Sequence, residues 1–189
     1  IVLLNWSGQK AFYTVDDETG EFFAIGYYPV CNDSLAAFSC RYGLGYQVIT
    51  QECLGLRVEM QIALPADHCF EQYRIVVADR SGRARRIRII AWFDLDLNVR
   101  DPYHGAFNRF DCSNGSDGRF LCIRNTSHLA DREWNACLAA SAPARGFAFE
   151  KAGFLGVYGN PARPEGLLGD LGSSCHPPDD PALAAGYAM

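Results

Sequence analysis

The amino-acid sequence predicts an all-β protein built as a sandwich of two facing antiparallel sheets. Short apolar or alternating segments recur about every ten to fifteen residues, and turn-forming Gly, Pro, Asn, Asp and Ser separate them, as in sandwich folds. No apolar repeat of helical period is sustained, so a fold that alternates strands with helices is not favoured. The 189 residues have the length of one large sandwich domain.

The strand segments can be placed in order along the chain. Residues 56–64 alternate apolar and polar side chains, which is typical of a strand with one wet face. Together with 70–77 and 87–93 they predict three sequential antiparallel strands, a meander. Further strands are predicted upstream at 12–15, 22–25 and 46–49, and downstream at 119–124 and 134–140. The turn residues Asp17–Gly20 between the first two of these predict a hairpin at 12–25.

The last part of the chain differs in composition. Glycine and proline become dense from Gly153 onward, which predicts a core of 1–152 and an irregular tail of the same domain at 153–189. A solvated tail and a tail that docks on another domain are both open. The chain begins with Ile1 rather than Met, so a piece of a longer polypeptide is expected.

Charge and composition exclude several classes of protein. An apolar fraction of 49% is that of a packed protein rather than a disordered one. The net charge of −5 argues against a nucleic-acid partner. The one dense basic run, 80–88, flanks the Ser81-Gly82 turn, and the pattern predicts a solvated hairpin edge that resists edge-to-edge pairing.

The cysteine pattern predicts a reducing compartment. The eight cysteines form no CxxC pair and no signal peptide precedes them, so reduced, mostly buried thiols and a cytoplasmic location are expected. The nearest two cysteines are nine residues apart, which is unlike a zinc site. No metal and no cofactor are predicted, and the apolar run 1–4 is too short to span a membrane.

A sugar-binding segment is the main candidate site. Aromatic rings pack on the C–H faces of a sugar, and polar side chains bind its hydroxyls. One stretch combines both kinds of group around a glycine, namely Tyr103, His104, Phe107, Asn108 and Arg109. The same aromatics could instead anchor a core crossover, and this alternative is open.

No strong catalytic signature is present, and no catalytic residue is assigned. Asp94 and Asp96 have the i, i+2 spacing that would put two carboxylates on one face of a strand, but a solvated strand end explains them better. The histidines at 68, 104, 128 and 176 are isolated in sequence and are expected in turns or at the surface.

Several segments resemble the N-terminal domain of the cellobiose and chitobiose phosphorylase family, which also occurs in cyclic β-glucan synthases. Segment 13–21 (YTVDDETGE) is similar to the family hairpin I-R-D-x-E-T-G-E, with YPV following at 28–30. Three further family motifs are matched in order along the chain. The turn R-H-G-x-G-Y corresponds to 40–46, and the hairpin N-x-S-x-R-x-R-R-L corresponds to 79–87. The stretch A-F-L-G-x-Y…P-E corresponds to 154–158 with 164–165.

This resemblance implies a galactose-mutarotase-like supersandwich with few short helices, which packs against a separate helical catalytic barrel. In the family the barrel carries inverting phosphorolysis of a β-glycosidic bond, with an Asp general acid. The resemblance also implies a homodimer, and a sugar-facing aromatic-Gln-Arg loop that aligns with Tyr103, His104 and Gly105. The arginine that would make a charge-assisted sugar contact is therefore replaced.

The leading hypothesis is an accessory, sugar-facing and assembly domain of a carbohydrate phosphorylase or glucan-synthase-like glycosyltransferase, not catalytic alone. Its expected partners are a β-linked oligosaccharide or glucan and the helical barrel, without nucleic acid or membrane insertion. One alternative is a stand-alone carbohydrate-binding module. A second is an aldose mutarotase, because related supersandwich folds carry that activity with a His general acid, here His104, and a carboxylate base.

Overall fold

The computed structural model describes residues 9–95, 97, 110–126, 135–173, 178 and 181–188, and these ranges contain twelve strands. One α-helix, α1, and a 3₁₀ turn at Glu165–Leu167 complete the regular structure of the described ranges. The strands and helix are β1 (Lys10–Asp16), β2 (Phe22–Ala24), β3 (Leu35–Gly43), β4 (Tyr46–Cys53), β5 (Leu56–Ala63), β6 (Gln72–Asp79), β7 (Ile87–Asp94), β8 (Phe110–Asn114), β9 (Phe120–Asn125), β10 (Asn135–Ala139), β11 (Gly146–Glu150), α1 (Lys151–Leu155) and β12 (Pro181–Ala188).

The strands form three sheets with only antiparallel neighbours. A five-stranded sheet has the order β11-β12-β7-β1-β2, a four-stranded sheet the order β3-β4-β5-β6, and a three-stranded sheet the order β10-β9-β8. Side chains of all three sheets meet in one apolar core, for example Phe93, Met60 and Ile123. The all-β supersandwich prediction is therefore confirmed, with three separate sheets rather than two.

The four-stranded sheet follows directly from its sequence. The side chains of β5 alternate between the core and the polar face, as the pattern of 56–64 predicts. The two-residue connection between β4 and β5 is Leu54-Gly55, and both residues have positive φ, which matches the twist of a tight hairpin. The predicted hairpin at 12–25 is also confirmed, because β1 pairs with β2.

The predicted central meander is wrong in its third strand. Strand β6 pairs with β5, but β7 leaves this sheet and pairs with β1 on one side and β12 on the other. The physical reason lies in the composition of β7, since Ile90, Ala91, Trp92 and Phe93 are all buried. A continuous apolar run requires cover on both faces, as the centre of a doubly covered sheet provides.

The five-stranded sheet has a second apolar face, which the chain following β11 covers. Trp92, Tyr13 and Phe154 form the centre of this second core with Leu155 and Leu167. The Tyr13 hydroxyl donates a hydrogen bond to the Pro161 carbonyl at 2.8 Å. Burial raises the pKa of this phenol well above its ordinary value, since the ionised form would be desolvated.

The expectation of an irregular tail is corrected at its end. Pro181–Ala188 is a full strand, β12, inserted between β7 and β11. Pro181 is its first residue, where a missing N–H is tolerated. Ala182, Leu183 and Ala184 are almost completely buried, because small side chains allow close packing from both faces of the sheet.

The basic run forms ion pairs at the hairpin ends, and so the predicted solvated edge is wrong for Arg85 and Arg88. The Arg85 side chain is 4% exposed and donates to Asp16, Asp79 and the Leu54 carbonyl at 3.0–3.3 Å. Arg88 donates to Asp17 and to two backbone carbonyls of the segment that covers the second core. Each guanidinium thus ties separate turns together.

Candidate functional site

The predicted sugar-facing residues Tyr103, His104, Phe107, Asn108 and Arg109 lie outside the described residues. The described residues on either side of them are well anchored. Leu97 and Phe110 are 5% and 4% exposed, and both belong to the main core. The chain therefore enters and leaves this segment from fixed points in the sandwich.

Asn125 links these two fixed points. Its amide nitrogen donates to the Leu97 carbonyl at 2.6 Å, and Phe110 is its direct partner across β8 and β9. Asn125 is 1% exposed, so the bond is shielded from water. A buried polar group of this kind fixes backbone position, because an unpaired carbonyl there would be unfavourable.

We expect Asn125→Leu to lower the free energy of unfolding by about 1–3 kcal/mol, since the Leu97 carbonyl would be left without this donor. Urea denaturation measures the change. Asn135→Ala is the matched control, because Asn135 is an exposed residue at the neighbouring register position, and it should shift stability by less than about 0.5 kcal/mol. Equal losses in the two variants would contradict the role of the bond.

The outer face of the three-stranded sheet presents polar groups beside the same anchor. We define it by the residues whose side chains share that face, which are Asp111, Ser113, Cys122, Arg124, Asn135 and Cys137. They line an open depression of about 650 Å³ together with Cys112. Arg124 pairs with Asp111 at 3.7 Å, and both side chains are about half exposed, at 49% and 60%.

Sequence reasoning missed this outer face. Its signal was available in β9, where Phe120, Cys122 and Arg124 alternate with the buried Leu121 and Ile123. What the sequence could not supply was the register that places Arg124 opposite both Asp111 and Asn135. The face combines a cation, a carboxylate and an amide, which are groups suited to sugar hydroxyls.

The candidate carboxylate pair does not assemble in the described residues. Asp96 lies outside them, and Asp94 is 9% exposed and accepts a hydrogen bond from Lys151 Nζ at 3.0 Å. The expectation of a solvated strand end is therefore wrong for Asp94. Its carboxylate joins β7 to α1 at the beginning of the segment that covers the second core.

The other chemical groups are dispersed. His68 is exposed and stacks on Phe70 with ring centroids 5.6 Å apart, which confirms a surface position, while the three other histidines lie outside the described residues. In the ranges that the structure describes, no three His, Cys, Asp or Glu side chains are grouped as metal ligands. A second depression, of about 710 Å³, is lined by Asp17, Arg88 and Arg145 among others, and Arg88 is already paired there.

The described cysteines correct another expectation. All seven are thiols, but only Cys53 is buried, whereas Cys31, Cys69 and Cys137 are exposed. The expectation that the thiols are mostly buried is therefore wrong. Strand alternation places Cys122 and Cys137 on the outer face because the core face of β9 and β10 is occupied by Leu121, Ile123 and Ala136.

No helix among the described residues has both the length and the apolar character to cross a bilayer.

Comparison with known proteins gives a consistent picture. The family model of the glycosyl hydrolase 94 supersandwich domain matches residues 6–188. Solabiose phosphorylase of Paenibacillus borealis is 28% identical over 162 residues, which cover 85% of this chain. Cellobionic acid phosphorylase of Neurospora crassa is 34% identical over 84 residues, which cover 44% of it.

The aligned parts make up 21% of the solabiose phosphorylase and 10% of the cellobionic acid phosphorylase. The chain thus corresponds to a minor part of each relative. The family model, in contrast, spans nearly all of the chain and names the architecture that the three sheets form. The chain therefore belongs to the glycosyl hydrolase 94 family, and it is a supersandwich domain of that family.

Proposed function

We propose that this domain serves a carbohydrate phosphorylase as an accessory domain, which faces the sugar and supports assembly but does not catalyse the reaction alone. One observation carries the proposal. The supersandwich match spans residues 6–188, yet the alignment covers only 21% of a named sugar phosphorylase. Catalysis then depends on a further, helical catalytic domain.

The sugar-facing part combines two groups of residues. The first is the predicted segment, with Tyr103, His104, Phe107, Asn108 and Arg109, whose aromatic and polar side chains suit a β-linked sugar. The second is the outer face with Asp111, Arg124 and Asn135, which begins directly after the anchor Phe110. Support comes from Asn125, which contacts the described residues Leu97 and Phe110 on either side of the segment, and from the hydrogen-bonding groups of the outer face.

The assembly part is supported by the edge of the four-stranded sheet. Among the described strands β3 is an edge strand, and its Phe38 and Tyr42 are 48% and 75% exposed, with Leu44 fully exposed in the adjoining turn. An apolar edge with open backbone groups favours pairing with another chain, here a second copy. Sedimentation over a concentration series tests this part, and a monomer at every concentration would contradict it.

The sugar-facing part is tested by NMR titration with β-linked gluco-oligosaccharides. We expect saturable shifts in β8 and β9, and a loss of affinity of about tenfold in Arg124→Ala, since a charge-assisted hydrogen bond would be removed. Arg119→Ala is the matched control, because Arg119 is similarly exposed at 54% but immediately precedes β9, at the end opposite Arg124. Its affinity should equal that of the wild type.

Two results would contradict the proposal. Absence of saturable shifts, or equal losses in Arg124→Ala and Arg119→Ala, would remove the sugar-facing role. Phosphate-dependent cleavage of the same oligosaccharides by this chain alone would remove the accessory role. A cytoplasmic location belongs to the same proposal and is supported by the cysteine pattern of the sequence, which has no CxxC pair.

A further inference from the structure

Two cysteines on the outer face are in direct contact. Cys122 of β9 and Cys137 of β10 are cross-strand partners, and their sulfur atoms are 2.7 Å apart. Directly paired residues of antiparallel strands have Cα atoms about 4.5–5.5 Å apart. This falls within the range of about 4.4–6.8 Å that a disulfide spans, so the backbone need not move to bond the two sulfurs.

The pair is also accessible. Cys137 is exposed and Cys122 half-buried, and both line the open depression of the outer face. Cys112, one strand away, lies in register with the buried Ile123 and so points towards the other face. Ser113 of β8 lies opposite Cys122 on the same face but carries no thiol. The thiol–thiol contact on this face is therefore between Cys122 and Cys137.

We propose that Cys122 and Cys137 form a redox-active thiol pair that closes to a disulfide by exchange with a small-molecule disulfide such as oxidised glutathione. The Cys122 thiolate attacks one glutathione sulfur, forms a mixed disulfide and releases one glutathione thiolate. Cys137 loses its proton and attacks Cys122 Sγ, and the second glutathione leaves as a thiolate. Two protein thiols are oxidised and one glutathione disulfide is reduced, and the two protons go to the glutathione thiolates.

Contact with Cys122 also affects the ionisation of Cys137. Partial desolvation of its sulfur and the adjacent Cys122 thiol raise the pKa of Cys137 to about 12, although the residue as a whole is exposed. The exchange can equally begin at Cys137, because each of the two sulfur atoms lies in contact with the other. We expect closure to accelerate with pH, because the thiolate is the attacking species in thiol–disulfide exchange.

Peptide mapping of the protein after incubation with oxidised glutathione tests the proposal. Trypsin separates the two cysteines, because Cys122 lies in peptide 120–124 (FLCIR) and Cys137 in peptide 133–145 (EWNACLAASAPAR), each with a single cysteine. We expect a linked peptide with two hydrogen atoms fewer than the sum of both. It should disappear on reduction, and it should form faster at about pH 9 than at about pH 7.

Three variants complete the experiment. Cys137→Ser should stop at a glutathione adduct on Cys122, and Cys122→Ser should yield no linked peptide. Cys31→Ser is the matched control, because Cys31 is exposed elsewhere on the surface, and its linked peptide should form as in the wild type. Recovery of peptides 120–124 and 133–145 as separate, alkylated thiols from the oxidised wild type would overturn the proposal. Recovery of either peptide linked mainly to a different cysteine would also overturn the proposal. Neither of these results depends on sugar binding.

Discussion

Replacing Phe154 with alanine is expected to lower the free energy of unfolding by about 3–5 kcal/mol, as for other fully buried aromatic residues. The Phe154 side chain is completely buried and its ring lies 5.8 Å from the rings of both Trp92 and Tyr13. Alanine would leave a cavity between the five-stranded sheet and the segment that covers it. Because rigid strands form one wall, we expect little collapse of this cavity.

Urea denaturation followed by tryptophan fluorescence measures this change, since Trp92 reports on the same core. Leu168→Ala is the matched control within the covering segment. Leu168 is 58% exposed although its neighbour Leu167 is fully buried, so its replacement should change stability by less than about 0.5 kcal/mol. If Phe154→Ala and Leu168→Ala were equally stable, the covering segment would not be part of the folded core.

The local elements of the sandwich were predictable, because their signals are contained in short stretches of sequence. The alternation in 56–64 identified β5, and the Asp17–Gly20 turn between two apolar stretches identified the β1–β2 hairpin. Family resemblance added the supersandwich architecture, which the family match confirms. These features depend on neighbours in sequence, and turn chemistry determines them directly.

The assignment of strands to sheets was not predictable in the same way. Strand β7 follows β6 after the seven-residue connection 80–86 but pairs with β1 and β12. Strand β12 comes from a stretch that glycine and proline made look irregular. Both cases depend on which faces are covered after folding. The fully apolar Ile90–Phe93 run was the available sign that β7 occupies the centre of a sheet.

The candidate site was only partly predictable for a related reason. Residue types in 103–109 suggested sugar binding, but the outer face needs the register that brings Asp111, Arg124 and Asn135 together from three strands. The same register places Cys122 against Cys137, which are fifteen residues apart in sequence. A basic run likewise gives no sign of which arginine is buried, because burial of Arg85 depends on the meeting of distant turns.

Arg85→Ala is expected to lower the free energy of unfolding by about 3–5 kcal/mol, because the buried Asp16 carboxylate would keep only the exposed Arg83 and two backbone N–H groups, and the Leu54 carbonyl would lose its donor. Arg85 is the group that joins Asp16, Asp79 and the Leu54 carbonyl. Arg83→Ala is a matched control, since Arg83 binds the same Asp16 oxygen at 3.2 Å but is 50% exposed. An exposed pair contributes about 0–1 kcal/mol, so similar losses in the two variants would contradict this account.

The same network predicts how stability depends on pH. Burial alone would raise the pKa of Asp16, but the backbone N–H groups of Glu18 and Thr19 and the Arg85 guanidinium outweigh it and hold this pKa below its ordinary value. The folded state therefore binds the Asp16 proton more weakly than the unfolded state. Its contribution is complete above the ordinary Asp pKa of about 4 and is lost as the pH falls through the lower, folded-state value.

Asp79 and Glu71 also have lowered pKa values and add to the acid dependence of the wild type, so a difference between variants is the informative measurement. Asp16→Asn carries no ionisable group at this position, and we expect its free energy of unfolding to fall less steeply below about pH 4 than that of the wild type. Urea midpoints at a series of pH values give both slopes. Parallel curves would show that Asp16 titrates alike in the folded and unfolded states, and the ion-pair network would then not account for the burial of Arg85.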